Sequence, residues 1–133
     1  MPIPLFNSLS QADINKLNSL RQNYDYTDNT VDAASITVPL TGGPVSGQSD
    51  WLRITINGHD GSEAAGWNLN QLWLNDAGTM TGIGSVASGA PRSTAALAAV
   101  TAVIQDDGAG GLECVVTGVL GQTIEWHLYW HYE

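Results

Sequence analysis

Positive charge is scarce in this chain. Of 133 residues, only Lys16, Arg21, Arg53 and Arg92 are Lys or Arg, against 13 Asp and Glu, for a formal net charge of −9. A nucleic-acid groove needs clustered Lys and Arg to displace counterions, and only Lys16 and Arg21 lie close in sequence, so nucleic acid is not an expected partner. An anionic membrane surface is excluded on the same ground. What remains is solubility, a particle surface, or attraction for cations. Cysteine is limited to Cys114, so no intrachain disulfide can form and no oxidising compartment is required. Long apolar runs are missing too. The longest, "AALAAVTAVI", is about half of a bilayer span. The opening "MPIPLFNSLS" has no basic segment and carries prolines where a signal peptide would have an apolar helix, so synthesis and retention in the cytoplasm are expected.

Catalytic motifs are likewise lacking. There is no phosphate-cradling glycine loop, no nucleophile elbow and no zinc-ligand spacing, and nothing selects a working pair among the acids. Cys114 sits in phase with Leu112 and Val116, which places it in an apolar layer rather than in a nucleophilic site. The stretches "NGHDGSE" (Asn57, His59, Asp60, Ser62, Glu63) and "DYTDNTVD" (Asp25, Asp28, Asp32) offer oxygen ligands. Neither follows the EF-hand pattern, and both read as loops of turn residues. The expectation is a protein that is not an enzyme and holds no cofactor.

What is present is a β-rich pattern behind one helix. Ser10 precedes Ile14, Leu17 and Leu20 at helical spacing, Asp13 stands three residues after it as the partner of a capping box, and Leu9 can staple onto Ile14. This predicts a helix from about Gln11 to Asn23. Its apolar stripe is narrow, suited to the edge of a domain or to a neighbouring copy. The polar "YDYTDNTVDAA" reads as a connector from Tyr24 to Ala34. Residues 1–34 thus form an arm, helix and connector, and residues 35–133 the β domain.

Within that domain "SITVPL", "WLRITIN" and "WNLNQLWL" read as strands, separated by "TGGPVSGQSD" and "GHDGSEAAG" as loops, with "TMTGIGSVA" a weaker fourth strand. "STAALAAVTAVIQ" is ambiguous between helix and strand. The turn cluster "DDGAGG" and the alternating "LECVVTG" after it favour a hairpin. The sum is an antiparallel β-sandwich or jelly-roll-like domain of about seven strands.

The end, "TIEWHLYWHYE", separates with period two into Ile124, Trp126, Leu128, Trp130 and Tyr132 on one face and Glu125, His127, Tyr129 and His131 on the other. That is a strand, on which His127 and His131 stand about 13 Å apart, too far to share one ion. No metal site is expected within the chain. One histidine from each subunit of a threefold oligomer, meeting on the axis, stays open. Trp51, Trp67 and Trp73 are candidates for a sugar-stacking platform, with core or subunit interface as the alternative.

The last 22 residues, "LECVVTGVLGQTIEWHLYWHYE", run as an alternating strand (Leu112 to Val116), a turn at Thr117 and Gly118, then Gly121, Thr123, Ile124 and Trp126, and a strand ending in the acidic Glu133. This resembles the closing hairpin of small β-rich virion proteins of tailed bacteriophages and prophages, with a more aromatic final strand. The resemblance implies a non-enzymatic virion component of capsid-decoration, head-fibre, tail-fibre or adaptor type, located in the virion. It implies a homo-oligomer, with a trimer favoured, docked on other virion proteins. The interface residues it suggests are Ile3, Leu5 and Phe6 in the arm, Ile14, Leu17 and Leu20 in the helix, and His127, Tyr129 and His131 on the final strand. A lectin-like module for bacterial surface glycans is the alternative.

Overall fold

The computed structural model describes residues 10–14, 22–84 and 92–133. Ile3, Leu5, Phe6, Leu17 and Leu20 lie outside the described residues. At the helix start the capping box is formed as expected: Asp13 N–H donates to Ser10 Oγ at 3.1 Å, and Ser10 N–H donates to Asp13 Oδ2 at 3.2 Å. Residues 11–14 are helical and Ile14 is half-buried. Gln22 and Asn23 are not helical, so the helix does not reach the end expected for it.

Among the described residues nine strands follow: β1 Tyr24–Val31, β2 Ser35–Leu40, β3 Ser49–Asp60, β4 Glu63–Asp76, β5 Thr79–Ile83, β6 Arg92–Ser93, β7 Thr101–Asp106, β8 Leu112–Thr117 and β9 Thr123–Tyr132. A short 3-10 turn, Ala95–Leu97, buries Leu97 before β7. All pairings are antiparallel. The larger sheet runs β1-β9-β3-β4-β5 with β6 beside β4, and the smaller runs β2-β8-β7. The fold class is therefore mainly β, two antiparallel sheets over one core, as expected. The outer wraps are jelly-roll-like, β1 with β9 and β2 with β8, while β3, β4 and β5 form a meander.

Three readings need correction. The connector expected over Tyr24 to Ala34 contains β1, an eight-residue strand paired with β9 along its whole length, so the sandwich begins at Tyr24. It escaped the pattern because it is an edge strand, exposed at most positions, whose register is set by its partner. "GHDGSEAAG" is not a loop: its ends continue β3 and β4, and Gly61 with Ser62 makes a two-residue turn, Gly61 at φ +59° as the first position of a II′ turn requires. The closing pair β8 and β9 is not a hairpin, because β8 lies in the small sheet and β9 at the heart of the large one.

Alternation places the core between the sheets. Leu52, Ile54 and Ile56 of β3, Trp67, Leu69 and Trp73 of β4 and the inner face of β9 meet Val38 and Leu40 of β2 and Leu112, Cys114 and Val116 of β8. Removing this apolar surface from water is the main stabilising term. The polar tips that β9 sends inside are hydrogen-bonded, whereas among the described residues Trp73 Nε1 and Gln71 Oε1 of β4 are buried without a partner. Trp126 Nε1 donates to Thr30 Oγ1 at 2.9 Å, Trp130 Nε1 to the Thr41 carbonyl at 3.1 Å, and the Tyr132 hydroxyl to the Leu40 carbonyl at 2.6 Å. The Tyr132 bond ties β9 of one sheet to β2 of the other. Cys114 is fully buried, and burial pushes its thiol up to about 12, so it is an inert core residue.

Candidate functional site on the outer face of the large sheet

The inner face is filled by the core, so the chemistry available to a ligand lies on the outer face. Register builds it row by row. Thr27 of β1 stands opposite His127, and His59 of β3 opposite Glu125; one step along, Thr55 faces Tyr129, and Arg53 faces His131. Because outward side chains on a strand recur every second residue, Glu125, His127, Tyr129 and His131 make one column, flanked by Arg53, Thr55, Asn57 and His59.

This column holds two polar clusters. In the first, the Glu125 carboxylate lies between two imidazoles: Oε1 is 3.1 Å from His127 Nε2, and Oε2 is 3.6 Å from His59 Nε2. The two rings stack with centroids 6.1 Å apart and planes 9° from parallel. On its far side, His127 Nδ1 lies 3.2 Å from Thr27 Oγ1. In the second cluster, His131 Nε2 is 3.1 Å from Glu133 Oε1, and Arg53 Nε is 3.1 Å from Glu133 Oε2. Both clusters are partly open to water. At the second cluster, a groove of about 340 Å³ is lined by Asp25, Arg53, Tyr129 and His131.

At the far end of the face, Trp51, Leu72 and Ile83 form an apolar row across β3, β4 and β5, set side by side by register. Trp51 and Ile83 are 46% and 45% exposed.

Of the residues singled out in the sequence, His127, Tyr129 and His131 come together on this face, and Trp51 presents its ring to solvent. Trp67 and Trp73 do not: both point into the core, 8% and 5% exposed, and Trp67 stacks on Trp126 with centroids 6.0 Å apart. A platform made of all three tryptophans is therefore corrected to Trp51 alone. The phase of each strand accounts for the split, since Trp51 alternates with Arg53 and Thr55, whereas Trp67 alternates with Leu69. The oxygen-rich stretches wrap no ion as loops, because most of each is extended strand whose successive side chains leave opposite faces. Sequence reasoning missed the grouping of His59 and Glu125 with His127. Only the pairing of β3 with β9 joins them, and no local spacing signals it.

No protein-family model and no curated protein matches this chain. Among solved structures, it is similar to the crystal structure of the Acinetobacter phage vB_ApiP_P1 tailspike protein, with a TM-score of 0.46 and 18% sequence identity. The similarity covers 84% of this chain and 21% of the tailspike chain, so the chain spans about a fifth of that protein's length.

Proposed function

We propose that this chain is a non-enzymatic structural component of a tailed-bacteriophage particle, of tail-fibre, adaptor, head-fibre or capsid-decoration type, which self-associates and docks on other virion subunits. The observation that carries the reading is the resemblance in sequence pattern of residues 112–133 to virion proteins of this kind, which holds for the sequence although β8 and β9 do not pair as a closing hairpin. Those residues form β8, the crossing between the sheets, and β9, the strand on which both sheets are tied together. The apolar row of exposed Trp51 and Ile83 with half-buried Leu72 supports a contact surface, because apolar side chains grouped on the outside of a sheet gain from being covered. Tyr129 and the half-buried His127 and His131 extend that surface along β9, and the acidic balance suits a soluble particle surface.

Light scattering of the purified chain tests self-association. A trimer is expected, shifted toward monomer by Trp51→Glu or Ile83→Glu. A wild-type mass that stays monomeric at every concentration would remove the self-association. Glycan binding is favoured by one specific feature, the exposed rings of Trp51 and Tyr129 on a face that also carries Arg53, Asn68 and Asn70. Titrating tryptophan fluorescence with bacterial surface polysaccharides tests it. A saturable change lost in Trp51→Ala supports a glycan module, and a flat response across the panel counts against one.

A further inference from the structure

We infer that His59, Glu125 and His127 form a binding site for one divalent transition ion of the zinc class, open to solvent on its fourth side. The inference stands on geometry and does not depend on the virion reading.

One nitrogen from each imidazole and one Glu125 oxygen all lie within 4.8 Å of one another. An ion held tetrahedrally about 2.0–2.2 Å from such ligands needs donor atoms roughly 3.4 Å apart. The contacts of 3.1 Å and 3.6 Å, one from each Glu125 oxygen, lie near that separation, and closing on an ion draws the two imidazole nitrogens and one shared oxygen together from within 4.8 Å. The frame beneath is stiff. His59 and Glu125 are direct partners across β3 and β9, and His127 follows Glu125 by two residues on the same face, so all three project from paired strands in the middle of the sheet.

Without an ion, His127 Nε2–H donates to Glu125 Oε1 and Nδ1 can accept from the Thr27 hydroxyl. Binding a metal at Nε2 displaces that proton, and the Thr27 hydroxyl can then turn to accept from Nδ1–H, as outer partners do for metal-binding histidines. The donor set also selects the ion. Two imidazole nitrogens and one carboxylate suit zinc, cobalt, nickel or copper, whereas calcium and magnesium take oxygen ligands. Half-exposed side chains leave the fourth position to water or to a donor from another molecule.

The second cluster on the same strand is a built-in control. There His131 and Glu133 repeat the histidine–carboxylate pair, but the third corner is the guanidinium of Arg53, a fixed cation that repels a metal ion.

Isothermal titration of the full chain with zinc chloride, after chelator treatment, tests the site. One ion per chain is expected. His59→Ala, Glu125→Gln and His127→Ala each weaken it more than about tenfold, and Thr27→Val weakens it about tenfold, while His131→Ala leaves it unchanged. Cobalt added to the wild-type chain gives the strong visible bands of a tetrahedral site, a readout that survives if a variant fails to fold. The proposal is overturned if wild type gives no saturable zinc binding, if His59→Ala binds as well as wild type, or if His131→Ala loses binding to the same degree.

Discussion

The two faces of β9 carry equally conspicuous side chains and do different work. Inward, Ile124, Trp126, Leu128, Trp130 and Tyr132 are all 4% exposed or less, in contact with both sheets. Outward, Glu125 and Tyr129 are exposed and His127 and His131 half-buried, and among the described residues their polar contacts are within the same sheet or with Glu133 just beyond it. Burial of aromatic area, with each inward polar tip bonded, is worth several kcal/mol per residue, whereas ion pairs between exposed groups contribute about 0–1 kcal/mol. One face therefore holds the fold together, and the other can vary its chemistry at small cost to stability.

The largest expected effect tests the inner face directly. Trp126→Ala should cost about 3–5 kcal/mol in urea-induced unfolding, through lost burial and the cavity left behind. A cost below about 1 kcal/mol would break the comparison. Gly58→Ala probes the same contact from β3. A methyl group there would come within 2.5 Å of the Trp126 ring and 2.9 Å of Ile124 Cγ2, and the fully buried indole has little room to move, so about 1–3 kcal/mol is expected. Thr30→Val keeps the volume and removes the acceptor for the buried Trp126 N–H, at about 1–3 kcal/mol. If Thr30→Val is neutral, that hydrogen bond does not help to place β1.

The inner face also sets a pH response. Burial raises the Cys114 thiol from 9.0 to about 12 and raises the Tyr132 phenol above its ordinary value, so both stay protonated in the folded chain while the unfolded chain ionises. Above about pH 9 the unfolded state binds fewer protons than the native state, so stability falls with rising pH. The thiol's contribution is complete below its unfolded value of 9.0 and is lost progressively up to about 12. Cys114→Ala should flatten the first part of that decline, by about 1 kcal/mol near pH 10. Parallel alkaline curves for the two proteins would show that the thiol ionises freely in the native state.

Much of this fold is legible because alternation and burial coincide. β8 and β9 declare both faces in sequence, and Ser10 with Asp13 declares the helix start. Legibility fails where a residue serves a distant partner. Tyr24 and Thr30 in β1 look like parts of a polar connector, yet Tyr24 stacks on Trp130 and Thr30 accepts from Trp126. Gly58 and Gly66 make a strand look like a loop, and Gly58 is small because an indole ring from β9 lies against it. Gly61–Ser62 carries a two-residue hairpin signal, but the glycines around it make the whole stretch read as a loop. The histidine cluster is not legible, since His59 meets His127 only through a register that the whole sheet decides.

The smallest expected effect sharpens the comparison most. Arg53, Glu133 and His131 make contacts as short as those of many buried pairs, but their side chains are 54%, 46% and 34% exposed. Water screens such charges, and holding long side chains in one geometry offsets most of the attraction, so His131→Ala should change unfolding stability by no more than about 0.5 kcal/mol. Arg53→Ala should cost under about 1 kcal/mol, shrinking further at high salt as the Debye length contracts. Measured beside Trp126→Ala in the same buffer, this is the outer half of one strand set against its inner half. If His131→Ala instead matches the loss at Thr30 and does not respond to salt, the outer column is coupled into the sheet as tightly as the core, and short distances rather than burial would be the measure of what holds β9 in place.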